Sequence, residues 1–144
     1  MSTTKIGVFE HAVQTANTWV RDVADEFATD DRRFAYRVLR AWLHTLRDRL
    51  TVEAGAHFAA QLPELVRGIY YEGWNPSQVP EKYDLHGYTN RFAREADISD
   101  KDVPKAAAAV STVLARHLSP GLLDKTLAQL PPPIQDLVNP WPRI

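Results

Sequence analysis

The tetrapeptide Ala60-Gln61-Leu62-Pro63 recurs as Ala128-Gln129-Leu130-Pro131, 68 positions further on. Carried through the flanking residues without a gap, the same offset pairs Leu46 with Leu114, Leu50 with Leu118 and Thr51 with Ser119. Beyond the tetrapeptide it pairs Val66 with Ile134 and Ile69 with Leu137. A capping residue, an apolar stripe and a helix-breaking proline that recur together describe two copies of one supersecondary unit. Such a chain has few folds open to it, because each copy must bury its apolar face against its own helices and against the other copy.

The local patterns make those copies helical. Residues 8–28 carry Phe9, Val13, Ala16, Val20, Val23 and Phe27 at alternating steps of four and three, the stripe of an amphipathic helix. Thr29-Asp30-Asp31 supplies a cap and first-turn acids for a second helix. Its apolar residues, Ala35, Val38, Leu39, Trp42, Leu43, Leu46 and Leu50, form a face wide enough to touch several neighbours. Thr51 caps a short third helix through Ala54, Phe58 and Ala59, and Pro63 suits the first turn of a fourth bearing Leu65, Val66 and Ile69. Residues 69–80, with two prolines, a glycine and three aromatics, lose the helical period and read as a connector. Helix resumes near Asp84, with Tyr88 and Phe92 on one face, and stops at 96–98. Ser99 and Asp102 open the next helix, whose stripe is Ala107, Val110, Val113, Leu114 and Leu118, and Ser119-Pro120 caps the one after it as Thr51 does. The expected fold is an all-α bundle of about eight helices in two homologous four-helix units. The first unit spans 1–74, the connector 75–83 and the second unit 84–144, packed as one compact domain through the faces of 35–50 and 107–118.

Composition narrows the function classes. A 144-residue chain with 44% hydrophobic and 24% charged residues is globular, and a net charge of -1 gives no global pull on nucleic acid or an anionic membrane. Cysteine is absent, which removes disulfides and thiolate metal sites. The first residues carry one lysine and no apolar run of leader length, and nothing approaches the roughly 20 apolar residues of a membrane span. The expected setting is the cytoplasm, with no membrane partner.

The run Arg67-Gly68-Ile69-Tyr70-Tyr71-Glu72-Gly73-Trp74-Asn75-Pro76-Ser77, placed after Gln61-Leu62-Pro63, resembles the bacterial family called domain of unknown function 2267. The second unit, from Arg91-Phe92 to Ala128-Gln129-Leu130-Pro131, is similar to that family's repeated unit, so the resemblance covers roughly residues 9–138. It implies a helical, cytoplasmic, bacterial protein, and it brings no catalytic residues to transfer.

The residues themselves assemble no reaction centre. Glu53 and His57, like His44 and Asp48, lie four apart and could share a helix face, and two such pairs meeting in space would resemble a metal site. The repeat does not support one: it sets Thr112 opposite His44, Lys125 opposite His57 and Arg49 opposite His117. No glycine-flanked serine, Ser-x-x-Lys pair or glycine-rich phosphate loop is present, so no catalytic residue, metal or cofactor is expected. Arg33, Arg37 and Arg40 align along the second helix as a candidate partner or phosphate-reading surface. Asp22, Asp25, Glu26, Asp30 and Asp31 stand ready to neutralise them, which favours an ion-paired face over nucleic-acid binding. Tyr70, Tyr71 and Trp74, with Tyr83, could form a platform for a partner, but packing between the units is favoured, with Trp74 mostly buried against the second unit. The expected function is a non-enzymatic protein-interaction or regulatory module, self-association included. The alternatives are nucleic-acid binding through the arginines, or a small-ligand or metal pocket between the units.

Overall fold

The computed structural model describes residues 6–140; the segment 1–5, part of the stretch read above for a leader, lies outside it. Its eight α-helices are α1 (Gly7–Glu26), α2 (Arg32–Arg49), α3 (Val52–Ala59), α4 (Glu64–Tyr71), α5 (Leu85–Ala96), α6 (Val103–His117), α7 (Leu122–Leu127) and α8 (Pro132–Val138). A single 3-10 turn, Asp100–Asp102, leads into α6, and the described residues contain no strand. Among the described residues, no helix is long and apolar enough to cross a membrane.

Three of the helix starts are fixed by side chains that accept from first-turn amides. Asp31 accepts from Phe34, Thr51 from Ala54 and Asp84 from Gly87, each satisfying a donor that the helix itself leaves unpaired. The start of α7 departs from the sequence expectation. Gly121, left-handed at φ 82°, precedes Leu122, so the helix begins after the Ser119-Pro120 cap rather than on it. Three further breaks, from the end of α2 to the start of α4, share the offset of 68, whereas the starts of α2 and α6, at Arg32 and Val103, do not. Leu50 and Leu118 end α2 and α6 in extended conformation, at φ/ψ −89/154° and −90/161°. Ala60 and Ala128 end α3 and α7 at −61/−19° and −62/−16°. Pro63 and Pro131 precede α4 and α8 at −60/157° and −58/146°.

The wide apolar face of α2 makes it the central helix, contacted by α1, α4, α5 and α6. Trp42 is fully buried, and its Nε1 donates to Ser111 Oγ of α6 at 2.9 Å. The most extensive contact of α2 is nevertheless with α5, not with the 107–118 face of α6. The α6 face is rich in alanine and offers smaller apolar side chains, whereas α5 offers Tyr88 and Phe92, both fully buried.

Two expectations about apolar residues need correction. Phe9 and Val13 do not join the core: they are 65% and 49% exposed, and α1 buries Ala12, Trp19, Val23 and Ala24 instead. Trp19 takes the core-facing position by stacking on His117 of α6, with ring centroids 4.8 Å apart, which turns the Phe9–Val13 line outward. Tyr70 and Tyr71 are not in the connector but close α4, because the polar features that end the helix begin only at Glu72 and Gly73.

Candidate functional site

Two clefts flank α2. The first, of about 490 Å³ between α2 and α5, is lined by Arg40, His44, Asp48 and Arg91 among others. His44 is 5% exposed; its Nδ1 lies 2.5 Å from Glu95 Oε2 and its Nε2 lies 2.7 Å from the Ile69 carbonyl. It therefore turns to Glu95 of α5, not to Asp48 as the i,i+4 spacing suggested. Asp48 binds Arg47 at 2.8 Å and Arg91 at 3.3 Å. Glu53 and His57 are exposed, and among the described residues no three histidine or carboxylate side chains converge as metal ligands do.

The arginines of α2 act largely inside the molecule. Arg47, buried, donates to the Tyr70 and Glu72 carbonyls at 3.0 and 2.7 Å. With His44 on Ile69, it closes the C-terminal end of α4, where helix carbonyls lack partners and cations are favoured. Arg37 Nε does the same for α5 by donating to the Ala96 carbonyl at 3.1 Å. Arg40 bridges Glu72 and Glu95, each at 2.9 Å. Partial burial works against its charge, but the two carboxylates outweigh that and hold the guanidinium above its usual range. The hydrogen bond and charge of Arg40 hold Glu72 below the usual carboxylate range.

The partners of these arginines differ from those expected. Of the acids near the end of α1, Glu26 pairs with Arg116 at 2.8 Å, and Asp22 pairs with His117 at 2.7 Å and with Arg21 at 3.3 Å. Asp31 is turned to the Phe34 amide at 3.0 Å. Sequence proximity pointed to these acids, but the packing of α6 on α1 gives Glu26 and Asp22 nearer partners. Arg32 and Arg33 consequently have no ion pair or side-chain hydrogen bond among the described residues.

Those two arginines open onto the second cleft, a groove of about 480 Å³ between α1 and the start of α2. Its walls are Asn17, Val20, Arg32, Arg33, Tyr36 and Arg37, with no carboxylate among them. Tyr36 is 39% exposed, and the Arg37 guanidinium sits 5.8 Å from the centroid of the Phe34 ring. The groove thus brings together Arg33 and Arg37 of the predicted stripe but leaves Arg40 to the first cleft.

The aromatic candidates divide differently. Tyr70 is fully buried between Phe58 and Tyr71, with its hydroxyl on the Gly55 carbonyl at 3.2 Å, so it offers no surface to a partner. Tyr83 crosses back to α2, where its hydroxyl donates to the Thr45 carbonyl at 2.9 Å. Burial pushes the hydroxyls of both tyrosines well above their usual range. Trp74 is half-buried, and its ring neighbour is Tyr71 of α4, at 5.2 Å, rather than the expected packing against residues after 83. The left-handed turn at Gly73 folds it back onto the helix it follows.

Arg32 belongs to the arginine-rich run of the second helix but not to the stripe expected of Arg33, Arg37 and Arg40. Glu72, Glu95 and Arg91 carried no signal as site residues, because they reach α2 from distant segments.

Helical topology and these two clefts define a small all-α bundle fastened by buried polar contacts to helix ends. The chain belongs to the family described as Uncharacterized conserved protein (DUF2267), whose model matches residues 16–137. No curated protein matches it.

Proposed function

We propose that this protein is a non-catalytic interaction module that pairs with a second copy of itself through the N-terminal half of α1. One observation carries the reading: Ile6, Val8, Phe9 and Val13 are 53%, 59%, 65% and 49% exposed. A monomer rarely leaves so many large apolar side chains together in water. Ile6, Phe9 and Val13 follow steps of three and four, the spacing by which one helix seats on another. A second copy suits such a stripe, because two equal short stripes laid antiparallel are complementary across a two-fold axis. The patch is small beside the roughly 800 Å² per partner of a stable dimer, so the association is weak and reversible.

The non-catalytic part of the reading rests on His44, whose two ring nitrogens both face protein oxygens and leave neither to take a substrate proton. The reading also takes the two halves as copies of one unit, supported by the backbone angles shared at the offset of 68; α5, with 12 residues against the 20 of α1, is then a shortened counterpart of α1. Its setting is the reducing bacterial cytoplasm, with which a cysteine-free chain is compatible.

The absence of cysteine gives a clean test. Under mild oxidation Phe9→Cys, at the middle of the stripe and so next to the two-fold axis, should give a disulfide-linked dimer, while Gln129→Cys, exposed on the opposite unit, should stay monomeric. Equal cross-linking at both positions contradicts the reading.

A further inference from the structure

We propose that the groove between α1 and the start of α2 binds a small organic phosphate that carries a flat ring, of the size of a mononucleotide. The electrostatics point to the charged part of the ligand. Arg32, Arg33 and Arg37 line one groove with no carboxylate among its walls, and Arg32 and Arg33 make no ion pair among the described residues. Guanidinium groups that line one groove without an acidic partner repel one another, and an anion in the groove relieves that repulsion. Arg37 has only its Nε committed, to the Ala96 carbonyl, so the outer edge of its fork remains able to donate. Three planar donors around one space match a phosphate monoester, which carries about −1.5 to −2 charge near neutral pH and three acceptor oxygens.

The remaining walls specify the rest of the ligand. Tyr36, 39% exposed, presents a ring to the groove, Val20 gives an apolar surface, and Asn17 supplies one amide able to both donate and accept. An inorganic ion would use none of these. A volume of about 480 Å³ lies within the range that takes small-molecule ligands and leaves room for a ring beside the phosphate. The nearest helix-capping acid, Asp31, is turned to the Phe34 amide and limits the charge of the groove without closing it.

Calorimetric titration of the full chain with three probes tests this: adenosine monophosphate, ribose 5-phosphate and adenosine. Adenosine monophosphate should bind most tightly, ribose 5-phosphate several-fold more weakly, and adenosine not measurably. Arg33→Gln should weaken both phosphates by roughly ten-fold, the loss of one charge-assisted contact. Tyr36→Ala should remove the preference for adenosine monophosphate over ribose 5-phosphate. Both side chains are exposed, and Arg33→Gln should leave the sedimentation behaviour of the protein unchanged, which separates this inference from the proposed self-association. Three results would overturn it: no binding of adenosine monophosphate at millimolar concentration, binding unaffected by Arg33→Gln, or tight, steeply salt-dependent binding of a single-stranded oligonucleotide without binding of the mononucleotide.

Discussion

Trp42 on α2 donates to Ser111 on α6 across 69 positions of sequence, and Ser111 Oγ in turn donates to the Val138 carbonyl at the end of α8. One buried hydroxyl therefore joins three helices and satisfies two groups that have no other route to a partner. Ser111→Ala should leave the indole N–H and the Val138 carbonyl buried and unpaired, costing about 2–3 kcal/mol. Urea denaturation should report this as a lower midpoint at an unchanged slope. A loss below about 0.5 kcal/mol, no more than an ordinary surface substitution, would mean that water or a shift of α8 replaces the serine.

Gly55 and Tyr70 make a coupled pair. A Cβ at position 55 would stand 3.1 Å from the Tyr70 hydroxyl, which itself bonds the Gly55 carbonyl. Alanine in a helix normally gains up to about 1 kcal/mol over glycine. Here Tyr70 is fully buried and held by neighbouring rings, so it cannot yield. Gly55→Ala should destabilise the protein by about 1 kcal/mol, and the same change on a Tyr70→Phe background should be neutral or stabilising. Equal effects in both backgrounds would show that the hydroxyl is not the obstacle.

His44 fastens α2 to α5 through Glu95 and to the end of α4 through the Ile69 carbonyl. His44→Ala should cost about 1–2 kcal/mol, because it removes one partner each from the half-buried Glu95 carboxylate, which keeps Arg40, and the Ile69 carbonyl, which keeps the Glu72 amide. Hydrogen exchange should locate the loss at the last turns of α4 and α5, rather than in α7 or α8.

Acid should weaken the contact between α1 and α6. Burial opposes the charge of Asp22, but hydrogen bonds and charge from His117 and Arg21 prevail and lower its carboxyl below the ordinary value of 3.8. Between that value and the lower folded one the unfolded chain binds more protons, so stability rises with pH. The contribution is fully present above 3.8 and is lost as pH falls through the folded value. Asp22→Asn should flatten the acid limb of the stability profile there; an unchanged limb would assign acid sensitivity to other carboxylates.

Much of the architecture was legible because periodicity and capping are local properties. Thr51 and Asp84 cap the helices they were expected to cap or start, and the wide face of α2 sits at the centre, whereas Asp31, expected in the first turn of α2, is its cap and leaves that turn without an acid. What a stripe packs against is not local. The line from Phe9 to Val13 has the right spacing for a core helix, yet its cover depends on where the side chain of Trp19 docks on α6. Glu72 and Glu95 are equally invisible as partners of Arg40, since they lie 32 and 55 positions away. Arg33 and Arg37 were legible as a stripe, but that Arg32 joins them in a groove facing α1 requires the helix crossing.

Trp74 measures the same limit quantitatively. Half-buried on Tyr71, it should lose about 1–2 kcal/mol on substitution by alanine, well short of the roughly 3–5 kcal/mol of a fully enclosed aromatic. A cost in the higher range would mean that the connector is more tightly covered than its half-buried indole indicates.

Sedimentation equilibrium over a wide concentration range, comparing the native chain with Phe9→Asp, tests the interaction account most directly. Phe9 is 65% exposed, so a charge there leaves the fold intact while breaking the apolar stripe. The native chain should pass reversibly from monomer to dimer as concentration rises, and Phe9→Asp should remain monomeric with an unchanged melting temperature. A native chain that stays monomeric throughout, or a dimer that Phe9→Asp leaves untouched, contradicts the account.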